Sequence, residues 1–120
     1  MTKYSLLLFA ALLVLVAIPV AQARNNRPAA TTVTVTAGKP SEFKFTLSPK
    51  SVPHGVVTFK VTDKGGLPHD FKIAGKKTKM LKKNQRATLT VTLKKGKKYP
   101  YICTVPGHAQ LGMKGTFKAT

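Results

Sequence analysis

One cysteine, three histidines and three methionines are the residues of this 120-residue chain that could bind a soft or borderline metal. Three of them follow one another within Tyr101-Ile102-Cys103-Thr104-Val105-Pro106-Gly107-His108-Ala109-Gln110-Leu111-Gly112-Met113, in the spacing Cys-x4-His-x4-Met. Val105-Pro106-Gly107-His108 has Pro and Gly at the two central positions of a β-turn, so it can fold His108 back beside Cys103. Gly112 then lets the chain bend so that Met113 approaches from another side. Cys103 has no second cysteine to pair with, and a lone thiol outside the cytoplasm oxidises unless it is buried or coordinated.

A thiolate and one imidazole do not close a metal site, so a further ligand must come from His54 or His69. His54 sits in Val52-Pro53-His54-Gly55, a turn composition, and reads as an exposed turn residue. His69, in Leu67-Pro68-His69-Asp70-Phe71, is in phase with the inward-facing Phe71 and Ile73 and points toward the edge of a core. It is the preferred third ligand. Two imidazoles, a thiolate and a weak thioether make the donor set of a blue-copper site, three strong ligands in a plane with a long axial Met. Thiolate and thioether favour Cu(I), and imidazole suits both Cu(I) and Cu(II). Thioether is a poor zinc ligand, and structural zinc wants four strong donors. Catalytic zinc would need an acid or base nearby; of the carboxylates Glu42, Asp63 and Asp70, only Asp70 adjoins a candidate ligand in sequence. Met80 has no Cys or His beside it and reads as packing.

These residues need a rigid frame, and the pattern from Thr31 onward supplies one. Apolar and polar residues alternate at Val33/Val35, Phe43/Phe45/Leu47, Val57/Phe59/Val61, Phe71/Ile73, Leu89/Val91/Leu93 and Tyr99/Tyr101/Cys103, with Phe117 marking a last strand. Turn signals at Gly38-Lys39-Pro40, Ser48-Pro49, Asp63-Lys64-Gly65-Gly66, Gly75 and Lys94-Lys95-Gly96 separate them. Period two with no convincing helical stretch after residue 24 predicts an all-β antiparallel sandwich or barrel of about seven to eight strands. Lys76 to Lys83 is the least regular segment and is expected to be a surface loop or a turn of helix.

The N-terminus reads as an export leader: Lys3, an apolar run from Ser5 to Val20, then Ala21-Gln22-Ala23 as a small-x-small cleavage pattern. The run is short for a membrane span and holds Pro19 near its end. Residues 1–23 are therefore expected to be removed, 24–30 to form a flexible arm, and 31–120 to be one domain, periplasmic or extracellular. Lys3 leaves with the leader, so the formal charge of +18 becomes +17. Such a field favours acidic protein partners or anionic membrane or cell-wall surfaces, or else serves solubility. No specific nucleic-acid recognition is expected. The lysine runs Lys76–Lys83 and Lys94–Lys98 read first as solvated faces, then as docking residues.

With the spacing, the strand phase and the export signal together, residues 31–120 resemble the cupredoxin family, which includes plastocyanin, azurin and amicyanin. The resemblance implies a Greek-key β-sandwich in which His69 is the first ligand, Cys103 the thiolate, His108 the second imidazole and Met113 the axial donor. The family often has Asn after the first ligand, tying the two ligand loops together; here it is Asp70, expected to bond backbone N–H or the Thr104 hydroxyl. The loop spacing differs from that of plastocyanin, so no subfamily follows from it. The resemblance also implies an apolar port around the second histidine, here Leu67, Pro68, Pro106, Ala109 and Leu111, where a redox partner would dock and leave quickly.

The function expected is a monomeric mobile one-electron carrier with one copper and no substrate turnover, since filled coordination leaves no open position. The alternatives are a copper storage or delivery module, and a cationic surface-binding protein whose site is incidental. The absence of Met-rich or His-rich tracts speaks against delivery.

Overall fold

A computed structural model of the chain describes residues 13–23 and 30–120. The first twelve residues of the expected leader, and 24–29 of the expected arm, lie outside the described residues. Residues 13–23 have no secondary structure, and Leu13, Val14, Leu15, Val16, Ile18 and Val20 are exposed. Among the described residues no helix is long and apolar enough to cross a membrane.

From Thr31 the chain is built of nine strands: β1 (Thr31–Ala37), β2 (Phe45–Ser48), β3 (Ser51–Val52), β4 (Gly55–Asp63), β5 (Lys72–Ile73), β6 (Lys76–Lys77), β7 (Arg86–Leu93), β8 (Lys98–Ile102) and β9 (Lys114–Ala119). They form a four-stranded sheet in the order β2-β1-β4-β7 and a five-stranded sheet in the order β3-β9-β8-β5-β6. The cause is the alternation itself. Val33 and Val35 of β1, Val57, Phe59 and Val61 of β4, and Leu89, Val91 and Leu93 of β7 are buried, while the threonines between them lie on the outer face or at its margin. Phe71, Ile73, Tyr99 and Phe117 close the core from the second sheet. Phe59 meets Phe71 and Phe117 with ring centroids 5.5 and 5.3 Å apart, so one aromatic cluster joins the two sheets.

Three features correct the sequence reading. The sheets are mixed: β1 runs parallel to β4 and β3 parallel to β9. After β2 the chain crosses to the second sheet as β3 and returns as β4, and such a crossover is what a parallel pair needs. Side-chain alternation carries no information about strand direction. The strand expected from Phe43 begins only at Phe45; Phe43 lies in the turn before it. Lys76 to Lys83 is neither simple loop nor helix. It contains β6 and then Leu81, which is fully buried and exchanges both backbone hydrogen bonds with His69 (2.9 and 2.8 Å).

Candidate metal centre

The ends of β1, β4 and β8 and the start of β9 all lie at one pole of the sandwich. There the segments 38–44, 64–71 and 103–113 come together. Lys64 N–H donates to Ala37 O (2.9 Å), which joins the first two.

The 103–113 loop is the connection between β8 and β9, and it is held shut from within. Its base is the Ile102–Lys114 pair of the β8–β9 ladder. Cys103 N–H donates to Met113 O (3.0 Å), and Met113 N–H donates to His108 O (3.0 Å). His108 N–H donates to Val105 O at 3.1 Å, closing the turn at Pro106-Gly107. Gly107 has φ of 84°, the left-handed conformation that the third position of a Pro-Gly turn requires. Cys103 follows directly on β8 and is fully buried, with Met113, also fully buried, packed in one cluster with it and Ala37.

His69 is delivered from the other side. Its backbone is clamped by Leu81, and its ring is fully buried. Its Nδ1 lies 3.1 Å from His108 Nδ1 and 4.0 Å from Cys103 Sγ, and His108 Nδ1 lies 3.6 Å from Sγ. Three donors bound at metal–N and metal–S lengths around one trigonal centre would lie roughly 3.5 to 4 Å apart. The two sides to sulfur, 3.6 and 4.0 Å, have that size, and the side between the two imidazoles, 3.1 Å, is shorter. Two imidazole nitrogens and a sulfur facing one point, all buried, are mutually repulsive as lone pairs unless a proton or a cation sits among them. The donor set therefore fits a bound metal. Phe43 stands edge-on to His108 with ring centroids 5.1 Å apart, the packing role that its position outside the strand serves.

Burial shifts the thiol and the imidazole of the triangle in opposite directions, each toward its neutral form. Burial pushes the Cys103 thiol up, while backbone N–H groups of Asp70 and Val105 pull it down and the Asp70 charge pushes it up again. Burial, and then the charge of His69, lowers the His108 pKa, so its ring is kept neutral and able to ligate. His54 lies elsewhere, exposed, with Nδ1 3.0 Å from Thr120 O.

Asp70 is almost fully buried. Its Oδ1 accepts from Thr104 N–H at 2.6 Å, its Oδ2 accepts from the Thr104 hydroxyl, and Lys77 Nζ lies 3.9 Å from Oδ2. Glu42 is the residue that sequence reasoning missed. Sequence adjacency left Asp70 as the one carboxylate beside a ligand, yet Glu42, 27 positions upstream, places Oε1 2.7 Å from His69 Nε2. Leu67 N–H donates to Oε1 (2.9 Å) and Gly66 N–H to Oε2 (2.8 Å). These two amides first, and His69 after them, hold the Glu42 carboxyl down to about 2. An ionised carboxylate only accepts, so the Nε2 of His69 carries the proton and Nδ1 is the free donor. No local sequence signal links Glu42 to His69; the link exists only once Ala37 and Lys64 are paired.

Leu67 and Leu111 are exposed on the same pole, with Pro68 and Pro106 exposed and Ala109 half-buried.

A two-sheet β-sandwich with a buried His-Cys-His triangle at one pole defines a class of mononuclear metal proteins. The family model of copper binding proteins of the plastocyanin/azurin family matches residues 27–120, and the chain belongs to that family. The fold is similar to auracyanin B (25% identity, TM-score 0.66, covering 76% of this chain and 89% of that one). It is also similar to auracyanin A, a "blue" copper protein of Chloroflexus aurantiacus (21% identity, TM-score 0.63, 76% and 99% covered). Rusticyanin of Thiobacillus ferrooxidans is a third similar structure (22% identity, TM-score 0.61, 74% and 76% covered). No curated protein sequence matches the chain. Copper is thus the metal of this site, as the donor chemistry alone suggested.

Proposed function

We propose that the chain is an exported type 1 copper protein that passes single electrons, with His69, Cys103 and His108 as strong ligands and Met113 as the axial donor. The observation that carries this reading is the convergence of His69, Cys103 and His108, all buried, with ligand atoms within 4.8 Å of one another. Copper, when bound, supplies the Cu(I)/Cu(II) couple. The residues hold it: β8 and the Leu81 clamp fix Cys103 and His69, and the closed 103–113 loop fixes His108 and Met113. Little needs to move between oxidation states, which suits fast electron transfer. With four donors around one metal there is no place for a substrate, and the chain is read as a carrier and not an enzyme.

Leu67, Pro68, Pro106, Ala109 and Leu111 are read as the apolar port through which a partner receives or donates the electron. The chain's basic surplus favours acidic redox proteins, with anionic membrane or cell-wall surfaces as a second kind of contact. The leader is read as removed after Ala23, placing a monomeric domain of residues 31–120 in the periplasm or outside the cell. A delivery module must release its metal, and fully buried Cys103, His69 and Met113 are poorly placed for hand-over.

The test is to add Cu(II) to the mature protein and record visible and EPR spectra. An intense thiolate-to-copper charge-transfer band that disappears in Cys103→Ser is expected. No band, or one that persists in that variant, would overturn the assignment.

A further inference from the structure

Glu42 is one of three carboxylates in a chain of 21 lysines and arginines, and it faces inward. Among the described residues its ion-pair partner is His69, not a lysine or arginine. Both of its oxygens are engaged, Oε1 by Leu67 N–H and the His69 ring, Oε2 by Gly66 N–H. The position is also built by an omission. Gly65 is buried, and a Cβ on it would overlap Glu42 Oε1 and lie 2.8 Å from His69 Nε2. Gly65 N–H donates to Asp63 Oδ1 at 2.8 Å, which fixes this bare stretch of backbone at the end of β4. The contact between Glu42 and the ring therefore depends on glycine at 65.

We propose that Glu42 is a positioning residue for the copper ligand His69, and that its charge lowers the reduction potential by favouring Cu(II) over Cu(I). This rests on the reading of His69 as a ligand. The carboxylate keeps the proton on Nε2, aims Nδ1 into the donor triangle and raises the basicity of the ring. Its negative charge lies one imidazole away from the metal position; the carboxylate itself is about one-third exposed (32%), while the His69 ring that carries its influence is fully buried, so the charge acts through the ring although water screens part of it. Cu(II) carries one more positive charge than Cu(I) and gains more from it. Asp63 and Asp70 are the other carboxylates at this pole, but Asp63 accepts from Gly65 N–H rather than from a ligand ring, and the Asp70 charge is partly balanced by Lys77 Nζ at 3.9 Å.

Three variants of the copper-loaded protein test the proposal by voltammetry, copper affinity and thermal unfolding. Glu42→Gln keeps an oxygen that can accept the His69 proton but removes the charge. It is expected to retain the charge-transfer band and to shift the Cu(I)-over-Cu(II) preference about tenfold, which is an upward shift of ~59 mV for one electron. Glu42→Ala removes the orientation as well and is expected to weaken Cu(II) binding a further 10- to 100-fold or so. Gly65→Ala displaces the carboxylate while keeping it in the chain, and should also raise the potential. Blue Glu42→Gln and Gly65→Ala proteins with the wild-type potential would overturn the proposal, as would a fall in unfolding temperature with no change in potential. A wild-type protein without the charge-transfer band would instead sink the ligand assignment itself.

Discussion

Asp70 and Thr104 are joined twice: the Asp70 carboxylate accepts both the backbone N–H of Thr104, at 2.6 Å, and its hydroxyl. Through this pair the residue after His69 is fastened to the residue after Cys103, so two ligands from segments 34 positions apart are held in register by one buried side chain. Lys77, 3.9 Å from the carboxylate, adds a partial counter-charge.

Removal of that side chain leaves the Thr104 N–H and hydroxyl without their partner. An orphaned group costs about 1–3 kcal/mol when fully buried, and Thr104 is half-buried, which puts each of its two groups toward the lower end. Asp70→Ala is expected to lose about 2–4 kcal/mol of unfolding free energy in denaturant titrations. Asp70→Asn keeps an acceptor and should lose less than half of that, while raising the copper potential through loss of charge. Equal losses in the two variants would show that the bonds to Thr104 do not carry the effect.

A second expectation concerns acid. The folded Glu42 pKa of about 2 lies below its ordinary 4.5, so its stabilisation is complete above about pH 4.5 and is lost as pH falls toward 2. His108 is lowered from 6.5 by burial, so the unfolded chain takes up a proton that the folded one rejects. Stability of the metal-free protein therefore declines as pH drops below about 6.5. Burial raises Asp63, which works the other way and relieves some strain as it protonates. Denaturation midpoints of metal-free wild type and Glu42→Gln should differ above about pH 4.5 and converge as pH falls toward 2. A gap that stays open at pH 2 would contradict the role given to Glu42's charge.

The frame was legible in the sequence because alternation encodes burial directly: Val33, Val35, Val57, Phe59, Val61, Leu89, Val91 and Leu93 are inward where period two puts them. Strand direction was not, since a parallel β1–β4 pair and an antiparallel one show the same alternation. At the site, the Cys103–His108–Met113 segment is a local loop whose turn chemistry is written in Pro106 and Gly107. His69 was reachable through its phase with Phe71. Glu42, Phe43 and Leu81 were not, because each reaches the pole from a different segment through contacts that exist only in the assembled fold. Leu81 in particular sits among lysines, and its burial comes from pairing with His69 rather than from any pattern of its own.

Met113 offers a position at which the copper potential can be tuned. It is fully buried beside Cys103, and its thioether is the weakest of the four donors. Met113→Gln replaces a soft sulfur by a harder oxygen, which favours Cu(II). The variant is expected to keep its charge-transfer band and its copper while its potential falls, read by voltammetry against wild type. An unaltered potential would remove Met113 from the axial position.

The charge distribution gives the last expectation. In the five-stranded sheet Lys72 pairs with Lys77 and with Ile102, Ile102 pairs with Lys114, and Lys98 pairs with Lys118. Residues directly opposite one another share a face, and those two apart on a strand do too. Lys72, Lys77, Lys98, Lys114 and Lys118 therefore stand on one outer face, all exposed. The four-stranded sheet presents mainly threonines outward, with Lys60 and Arg86 among them. Glu42 and Asp63 are engaged at the metal pole and add nothing to neutralise the lysine face. An acidic redox partner should be steered by it, so bimolecular electron-transfer rates should fall about tenfold or more as the Debye length shrinks from about 30 Å at 0.01 M to about 3 Å at 1 M salt. Lys72→Glu with Lys114→Glu should flatten that dependence and leave the charge-transfer band untouched. If the wild-type rate does not respond to salt, the lysines serve solubility and the apolar port alone selects the partner.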